Sequence, residues 1–270
     1  MRSLTSIIVP VHDAPAETRK CLESVRRHTR APYELIVVDD ASARATARYL
    51  DSLDGIALIR HGRNQGFPKA VNAGMRAARG DSLVWLNSDA IVTPSWLDLM
   101  LDCARGDRRI GAVGPVTNNT PGPQAVVTLP ESFSPTPKNL DLFAAAWTLR
   151  HRGARLAAHR LTGFCLLVKR AAAESVGLLD ERFGKGYAED LDYGLRLIQA
   201  GHRLAIAGDA FVYHKGQASF GTGRSSALDE KARRLFVEKW CRLSLGFLDR
   251  FNGDLKEAPR PFQPLTKRRS

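Results

Sequence analysis

The chain has 270 residues, 44% of them hydrophobic and 25% charged; these are the proportions of a folded globular protein and exclude disordered and collagen-like classes. The length suits one large α/β domain or two small ones. Forty Lys and Arg against 28 Asp and Glu give a formal net charge of +12, which favours anionic partners: nucleotides, phospholipid surfaces or nucleic acid.

Residues 6–11 (Ser-Ile-Ile-Val-Pro-Val) are a β-branched run and predict a first strand. His12-Asp13-Ala14-Pro15 turns the chain into an amphipathic helix over 16–28, with Cys21, Leu22 and Val25 on one face. A second buried strand, 34–38, ends in Asp39-Asp40. A helix over 42–50 and a strand over 56–59 follow. The turn Asn64-Gln65-Gly66-Phe67-Pro68 leads to a helix over 69–79, with Val71, Met75 and Ala78 inward and Gly80 as its stop. The next strand, 83–86 (Leu-Val-Trp-Leu), is apolar throughout, as strands covered on both faces are. It ends abruptly in Asn87-Ser88-Asp89. A helix over 95–105 and a strand over 110–115 continue the alternation. The pattern predicts an α/β fold: a mostly parallel, doubly wound sheet with helices on both faces.

Residues 117–138 are rich in Pro, Thr, Asn, Ser and Gly, the composition of a long loop acting as lid or binding loop. Beyond it lie a helix (140–149), a strand (161–168), a short helix (171–176) and a helix over 189–200 with Leu191, Leu195 and Ile198 on one stripe. Strands over 203–206 and 210–213 precede a C-terminal helical extension over 228–243, with Leu235, Phe236 and Trp240 inward. The Pro-containing basic tail after Asn252 is expected to be loose. Cys21, Cys103, Cys165 and Cys241 stand far apart without zinc spacing, so buried free thiols are expected. No signal-peptide pattern opens the chain, and no apolar run approaches the roughly 20 residues of a membrane span. A cytoplasmic location is expected, with room for peripheral contact at the inner membrane face.

Open α/β sheets hold ligands beyond the carboxyl ends of their strands. Asp89 is therefore a candidate for metal or phosphate handling, with capping of the next helix as the alternative. Asp39-Asp40 occupies the same kind of place. A carboxylate there can accept hydrogen bonds from a base or ribose; capping is the alternative, more so for Asp39. Asn64-Gln65-Gly66, with Lys69 in the following helical turn, is a candidate anion-binding turn. It lacks the GxGxxG and GKS/T patterns of dinucleotide and P-loop sites. Glu189-Asp190-Leu191-Asp192 sets three mutually repelling carboxylates in four residues. Asp190 projects away from the apolar stripe and can point into a cleft, whereas helix-dipole complementation suffices for Glu189 or Asp192. His214 ends a strand, where it can join Asp89 on a metal, although a lone histidine is more often structural.

Taken in order, residues 6–11, Val37-Val38-Asp39-Asp40-Ala41-Ser42, Asn64-Gln65-Gly66-Phe67, Ala70-Val71-Asn72-Ala73-Gly74 and Leu86-Asn87-Ser88-Asp89 resemble the donor half of the inverting family-two glycosyltransferases with a GT-A fold. Thr162-Gly163, the run Gly-Leu-Leu-Asp-Glu-Arg-Phe at 177–183, Glu189-Asp190-Leu191-Asp192 with Leu195-Arg196, and His214-Lys215-Gly216 resemble its rhamnosyltransferase-like branch. The resemblance covers roughly 3–220. It implies transfer of a sugar from a UDP, dTDP or GDP donor to a hydroxyl on a glycan, lipid-linked glycan or other acceptor, in polysaccharide or glycoconjugate synthesis. Mg²⁺ or Mn²⁺ is the implied cofactor. Asp89 would be the metal-binding carboxylate, with Asn87 in place of the first acid of the Asp-x-Asp motif, Ser88 between them, and His214 completing the metal or diphosphate site. Pro10, Val11 and Asp40 would hold the nucleoside, with Asn64, Gly66 and Lys69 on the donor side. Asp13 stands where many members carry Asn. Asp190 would be the catalytic base, and Thr162, Gly163 and Glu189 would flank the acceptor or donor sugar.

The expected division is a donor half (1–116), an acceptor and base half (117–220) and a C-terminal helix with basic tail (221–270). A nucleotidyltransferase acting on sugar phosphates is one competing class. It would carry a Gly-rich, Lys/Arg-bearing loop after the first strand, where this chain has His12-Asp13-Ala14-Pro15. A basic nucleic-acid or membrane-surface binder is the other; under the glycosyltransferase reading, nucleic acid is not an expected partner.

Overall fold

The computed structural model describes residues 3–120, 122–126, 135–216 and 226–240. Cys241, the expected end of the last helix at 243 and the basic tail lie outside the described residues, as does 127–134 of the long loop. The first half alternates as β1 (Thr5–Val11), α1 (Pro15–His28), β2 (Tyr33–Asp39), α2 (Arg44–Asp51), β3 (Ala57–Arg60), α3 (Phe67–Ala77), β4 (Ser82–Leu86), β5 (Ala90–Val92), α4 (Trp96–Arg105) and β6 (Ile110–Val116). The second half runs α5 (Leu140–Arg150), β7 (Arg155–Ala158), β8 (Cys165–Lys169), α6 (Arg170–Val176), a 3₁₀ turn (Glu181–Phe183), α7 (Glu189–Gln199), β9 (Arg203–His214) and α8 (Ser226–Trp240).

Strand periodicity explains the layers. Ile7, Val9 and Val11 of β1 point to one face and pack on Cys21, Leu22 and Val25 of α1 and on Trp96 and Leu97 of α4. Ile8 points to the other face and meets Ala70, Val71 and Met75 of α3. In β4, Val84 and Leu86 join the first core, and Leu83 and Trp85 the second. With both faces covered, every second residue finds an apolar layer on either side, and the run is apolar without alternation.

The sheet order is β3-β2-β1-β4-β8-β6-β9-β5, with β7 also paired to β9. The expected parallel register holds across β3-β2-β1-β4. Beyond β4 the sheet is mixed: β8 runs antiparallel to both β4 and β6, β9 parallel to β6, and β5 and β7 antiparallel to β9. These directions bring the C-termini of β1, β2, β4, β6 and β9 and the N-termini of β5 and β8 to one edge.

Several elements differ from the sequence expectations. The two strands expected at 203–206 and 210–213 are one, β9, whose register against β6 shifts between Pro115 and Val116. The shift spans Gly208 and Asp209, whose carbonyls accept hydrogen bonds from Trp147 Nε1 (2.8 Å) and Thr148 Oγ1 (2.8 Å) of α5. The strand expected from 161 begins at Cys165; the residues before it line the site instead. Helix α3 starts earlier than expected because Pro68 occupies its first turn, where a missing N–H costs nothing. Gly80 does not cap it. A Cβ there would lie 2.6 Å from the Ser6 nitrogen, so Gly80 serves close packing on β1. Cys21, Cys103 and Cys165 are buried free thiols.

Helix α8 is fastened beside the start of α7. Asp192, wholly buried, pairs with Arg196 (3.0 Å) and Lys239 (2.7 Å) and accepts from Trp240 Nε1 (3.0 Å). Lys239 also reaches Asp180 at 2.7 Å. Asp192→Ala removes the shared partner of Arg196, Lys239 and Trp240 at a largely buried junction. It is expected to lower stability by about 3–5 kcal/mol and the melting temperature by on the order of 10 °C, which a thermal melt reads directly.

Candidate active site

Two consecutive residues, Gly163 and Phe164, join the pieces of the site at the common edge. The Phe164 carbonyl accepts from the Asn87 N–H at 2.7 Å, fixing the end of β4. The Phe164 ring stacks on the His214 imidazole with centroids 4.9 Å apart. The Gly163 N–H donates to Asp190 Oδ2 at 2.9 Å, and a Cβ on Gly163 would touch the Asp190 Cβ at 3.1 Å. The end of β4, the end of β9 and the start of α7 thus meet across one dipeptide.

Asp89 is 6% exposed, and its Oδ1 lies 3.4 Å from His214 Nε2. The Asn119 carbonyl sits 3.1 Å from His214 Nδ1. A carbonyl can only accept, so Nδ1 carries a proton, and Nε2 is the ring nitrogen left facing Asp89. The Asn118 side chain brackets the same residue, accepting from the His214 N–H (2.9 Å) and donating to its carbonyl (3.0 Å). A metal-binding histidine commonly has this support, its second nitrogen donating to a backbone carbonyl. Among the described residues no group of three or more His, Cys, Asp or Glu could hold a metal ion. A carboxylate and an imidazole nevertheless fit an ion such as Mg²⁺ or Mn²⁺ that takes its remaining ligands from phosphate and water. Asn87 is half-buried and Ser88 buried in the same turn.

Asp190 opens α7 and is held by the Gly163 N–H and by the Leu191 N–H, which meets Oδ1 at 2.8 Å. Burial raises its carboxyl above the usual carboxylate range, against the opposing pull of these amides and of Arg160. It lines a pocket of about 320 Å³ with Arg160, Thr162, Tyr187, Arg233 and Phe236. Thr162 is fixed by Gln124 through its N–H (2.7 Å) and by Thr120 through its hydroxyl (2.9 Å). Glu189 is buried and does not line the pocket. The turn before α7 is strained: Tyr187 (φ 81) and Ala188 (φ 64) are both left-handed without being glycine. Asn72 of α3 clamps Leu179 through its N–H and its carbonyl, both at 2.9 Å, and so anchors the chain leading into this turn.

On the donor side several of the expected residues have partners within the protein. The amides of Gln65 and Gly66 point at Asp40, whose carboxylate accepts from both (2.8–3.1 Å) and from His61 Nδ1 (2.7 Å). The anion in the expected anion-binding turn is thus Asp40 itself. A 4% exposed carboxylate filled by these donors acts first as the anchor of that turn rather than as a free acceptor for a nucleoside. Val11 is buried in the core, and its carbonyl accepts from the Asp40 N–H (2.8 Å); Pro10 before it is half-exposed. Asp39 does not cap α2, whose N-cap Ala43 has no side-chain partner; it accepts from the Ser42 N–H (2.9 Å) in the turn ahead of the helix and pairs with Arg60 (3.1 Å). Asp13, left-handed at φ 57, ties β1 to the next loop through the Ser42 hydroxyl and the Ala43 N–H. Asn64 is exposed and Lys69 half-buried at the rim.

Gly66 couples the two halves. A Cβ there would sit 2.2 Å from the Gly184 carbonyl oxygen, and its φ of 91 suits glycine. Gly66→Ala is expected to cost about 2–4 kcal/mol from the backbone and steric terms together. It should also move the turn that carries Asp190, seen as a lowered melting temperature together with slower transfer.

Asn118, Asn119 and His61 are site residues that the sequence reading missed. The signal for the first two was present: a polar run, Thr117-Asn118-Asn119, directly after an apolar strand. His61 follows β3 in the same way.

A half-sheet of parallel strands with polar ends, joined to a mixed half that carries an acidic helix, is the GT-A architecture of glycosyltransferases. Residues 6–177 match the model of Glycosyl transferase family 2, and the chain belongs to that family. It is 26% identical over 268 residues to the N-acetylglucosaminyl-diphospho-decaprenol L-rhamnosyltransferase of Mycobacterium tuberculosis, covering 88% of this chain and 84% of that protein. Among solved structures, S. aureus TarS 1–349 in complex with UDP-GlcNAc superposes with a TM-score of 0.65 at 14% identity, over 96% of this chain and 73% of that one. GalNAc-T7 with UDP, GalNAc and Mn²⁺ gives 0.61 at 17%, over 94% of this chain and 55% of that one, so this chain spans about half its length. The protein is a glycosyltransferase, and the nucleotidyltransferase and basic-binder alternatives fall away. Among the described residues no helix is long and apolar enough to cross a membrane.

Proposed function

We propose that this enzyme transfers a sugar from a nucleoside-diphosphate sugar to an acceptor hydroxyl with inversion, assisted by Mg²⁺ or Mn²⁺. The observation that carries the reading is Asp190: a carboxylate raised by burial, opening to a pocket at the sheet edge that also bears Asp89 and His214. Asp190 takes the proton from the acceptor hydroxyl as it attacks. Asp190 is the one acidic residue among the described residues lining that pocket, which suits a single displacement rather than a two-carboxylate route. Asp89 and His214 Nε2 would hold the divalent ion, which when bound neutralises charge on the leaving diphosphate. Residues 1–116 would supply the donor side through Pro10, Asn64, Lys69, Asn87 and Ser88, with Asp40 fixing the turn that follows Asn64. Residues 117–220 would supply Thr162, Gly163 and the base, and 221–270 the pocket wall.

The relative's printed name and the UDP-GlcNAc and Mn²⁺ in the solved structures support a nucleotide-sugar donor and a glycan acceptor, in cell-surface polysaccharide or glycoconjugate synthesis. Buried free thiols suit the reducing cytoplasm. A melting-temperature screen against UDP-, dTDP-, GDP- and CMP-sugars, each with and without Mn²⁺, tests the donor class. One nucleotide is expected to stabilise the protein, and to do so more with Mn²⁺. No stabilisation by any of the four would sink the reading.

A further inference from the structure

The pocket in front of Asp190 holds more positive charge than proton transfer requires. We infer that Arg160, aided by Arg233 on the same pocket wall, binds a phosphate or diphosphate ester carried by the acceptor, so that the enzyme selects phosphate-linked glycans over neutral ones. The inference rests on the proposed reading of this pocket as the acceptor site.

Arg160 is half-buried, yet among the described residues no carboxylate lies within the 4.0 Å of an ion pair. Asp190 is the carboxylate its charge acts on, but it stands beyond ion-pair distance, so the guanidinium keeps donors for an anion that arrives with a ligand. The chain makes room for the group in a specific way: a Cβ on Gly122, whose φ is 92, would lie 2.4 Å from Arg160 Nη2. The guanidinium therefore passes over a bare glycine, where a side chain would displace it. Arg233 pairs with Glu230 on its own helix at 3.1 Å, and a guanidinium has five donors, so one such pair leaves others for a ligand.

A role confined to the base does not account for Arg160. Its charge opposes the upward shift that burial gives Asp190, and a base working near neutral pH gains from that shift. The donor's diphosphate already has partners in the Asp89 and His214 reading. The remaining lining residues, Leu161, Tyr187, Leu191 and Phe236, are apolar or aromatic, surfaces suited to a sugar ring and the start of a lipid chain. A forked guanidinium beside such faces matches the two oxygens of a phosphate ester.

The test is calorimetric titration of the full chain with two probes: hexyl diphosphate-linked N-acetylglucosamine and the neutral hexyl N-acetylglucosaminide. The diphosphate probe is expected to bind at least tenfold tighter. Arg160→Gln should erase most of that difference, and Arg160→Lys should recover part of it, as a point charge without the fork. If the diphosphate probe binds no better than the neutral one, or neither binds, the inference fails. It fails equally if Arg160→Gln weakens binding of the nucleoside diphosphate with Mn²⁺ as much as it weakens the acceptor probe, because the arginine then serves the donor. The two proposals separate cleanly. Turnover surviving in Asp190→Asn overturns the base assignment and leaves the probe preference standing; loss of the preference with Asp190 still essential overturns only the acceptor class.

Discussion

Asp190→Asn is expected to lower transfer by about 10²–10⁴-fold while nucleotide affinity stays within about threefold of the native protein. Both oxygens of Asp190 are already placed, one by the Gly163 N–H and one by the Leu191 N–H. The substitution therefore keeps size and position but removes the lone pair that takes the proton. An amide has one acceptor oxygen where the carboxylate has two, so one backbone N–H loses its partner and a small loss of stability accompanies the change. That loss is the reason to read rate and nucleotide affinity separately.

The pH profile supplies an independent check. A base must be ionised to work, and burial raises the Asp190 carboxyl above the ordinary carboxylate range. Activity is therefore full above its raised pKa and is lost as pH falls through it, with the acid limb at higher pH than an unperturbed aspartate would give. Arg160 pulls in the other direction, so Arg160→Gln should move the limb higher still. Near-normal turnover in Asp190→Asn, or an acid limb that ignores Arg160, would place the base elsewhere.

The parallel half of the fold was legible because its strands are apolar on both faces and their helices carry one clear stripe. Asp89 drew attention for a related reason: a charge at the end of an apolar run needs a cause. The same logic is incomplete at Asp40, since a sequence cannot say whether a strand-end carboxylate faces a ligand or its own neighbouring loop. Here the amides of Gln65 and Gly66 reach it first. Asp192 was assigned to helix-dipole complementation, but its real partners, Lys239 and Trp240, come from α8 some 48 residues on. Such long-range pairing leaves no local periodicity to read. Strand β7, with the sequence Arg-Leu-Ala-Ala and two exposed positions, has little strand propensity of its own and exists because β9 offers it an edge. Strand β5, Ala-Ile-Val, has strand-favouring residues but only three of them, too short a run to show a period.

Asp89→Ala is expected to remove the Mn²⁺-dependent part of nucleotide binding, at least a 10²-fold loss of affinity measured with the metal present and little change without it. Under the proposed reading Asp89 and His214 Nε2 would be the ion's two protein donors, so deleting the carboxylate would remove both half the ligand set and the only negative charge in the pair. Even indirect supports of a metal ligand are commonly worth 10–100-fold. That range is the expectation for Asn118→Ala, which frees the His214 backbone without touching the ion. The ordering is what discriminates. Loss should be greatest for Asp89→Ala, smaller for Asn118→Ala, and for Asp40→Ala it should appear as a loosened Gln65–Gly66 turn with the metal dependence intact. Calorimetry showing the same Mn²⁺ increment in Asp89→Ala as in the native chain would move the ion away from this edge. The Asp89–His214 contact would then stand as a buried polar pair holding β5 to the end of β9, where Ala90 and His214 already face each other across the ladder.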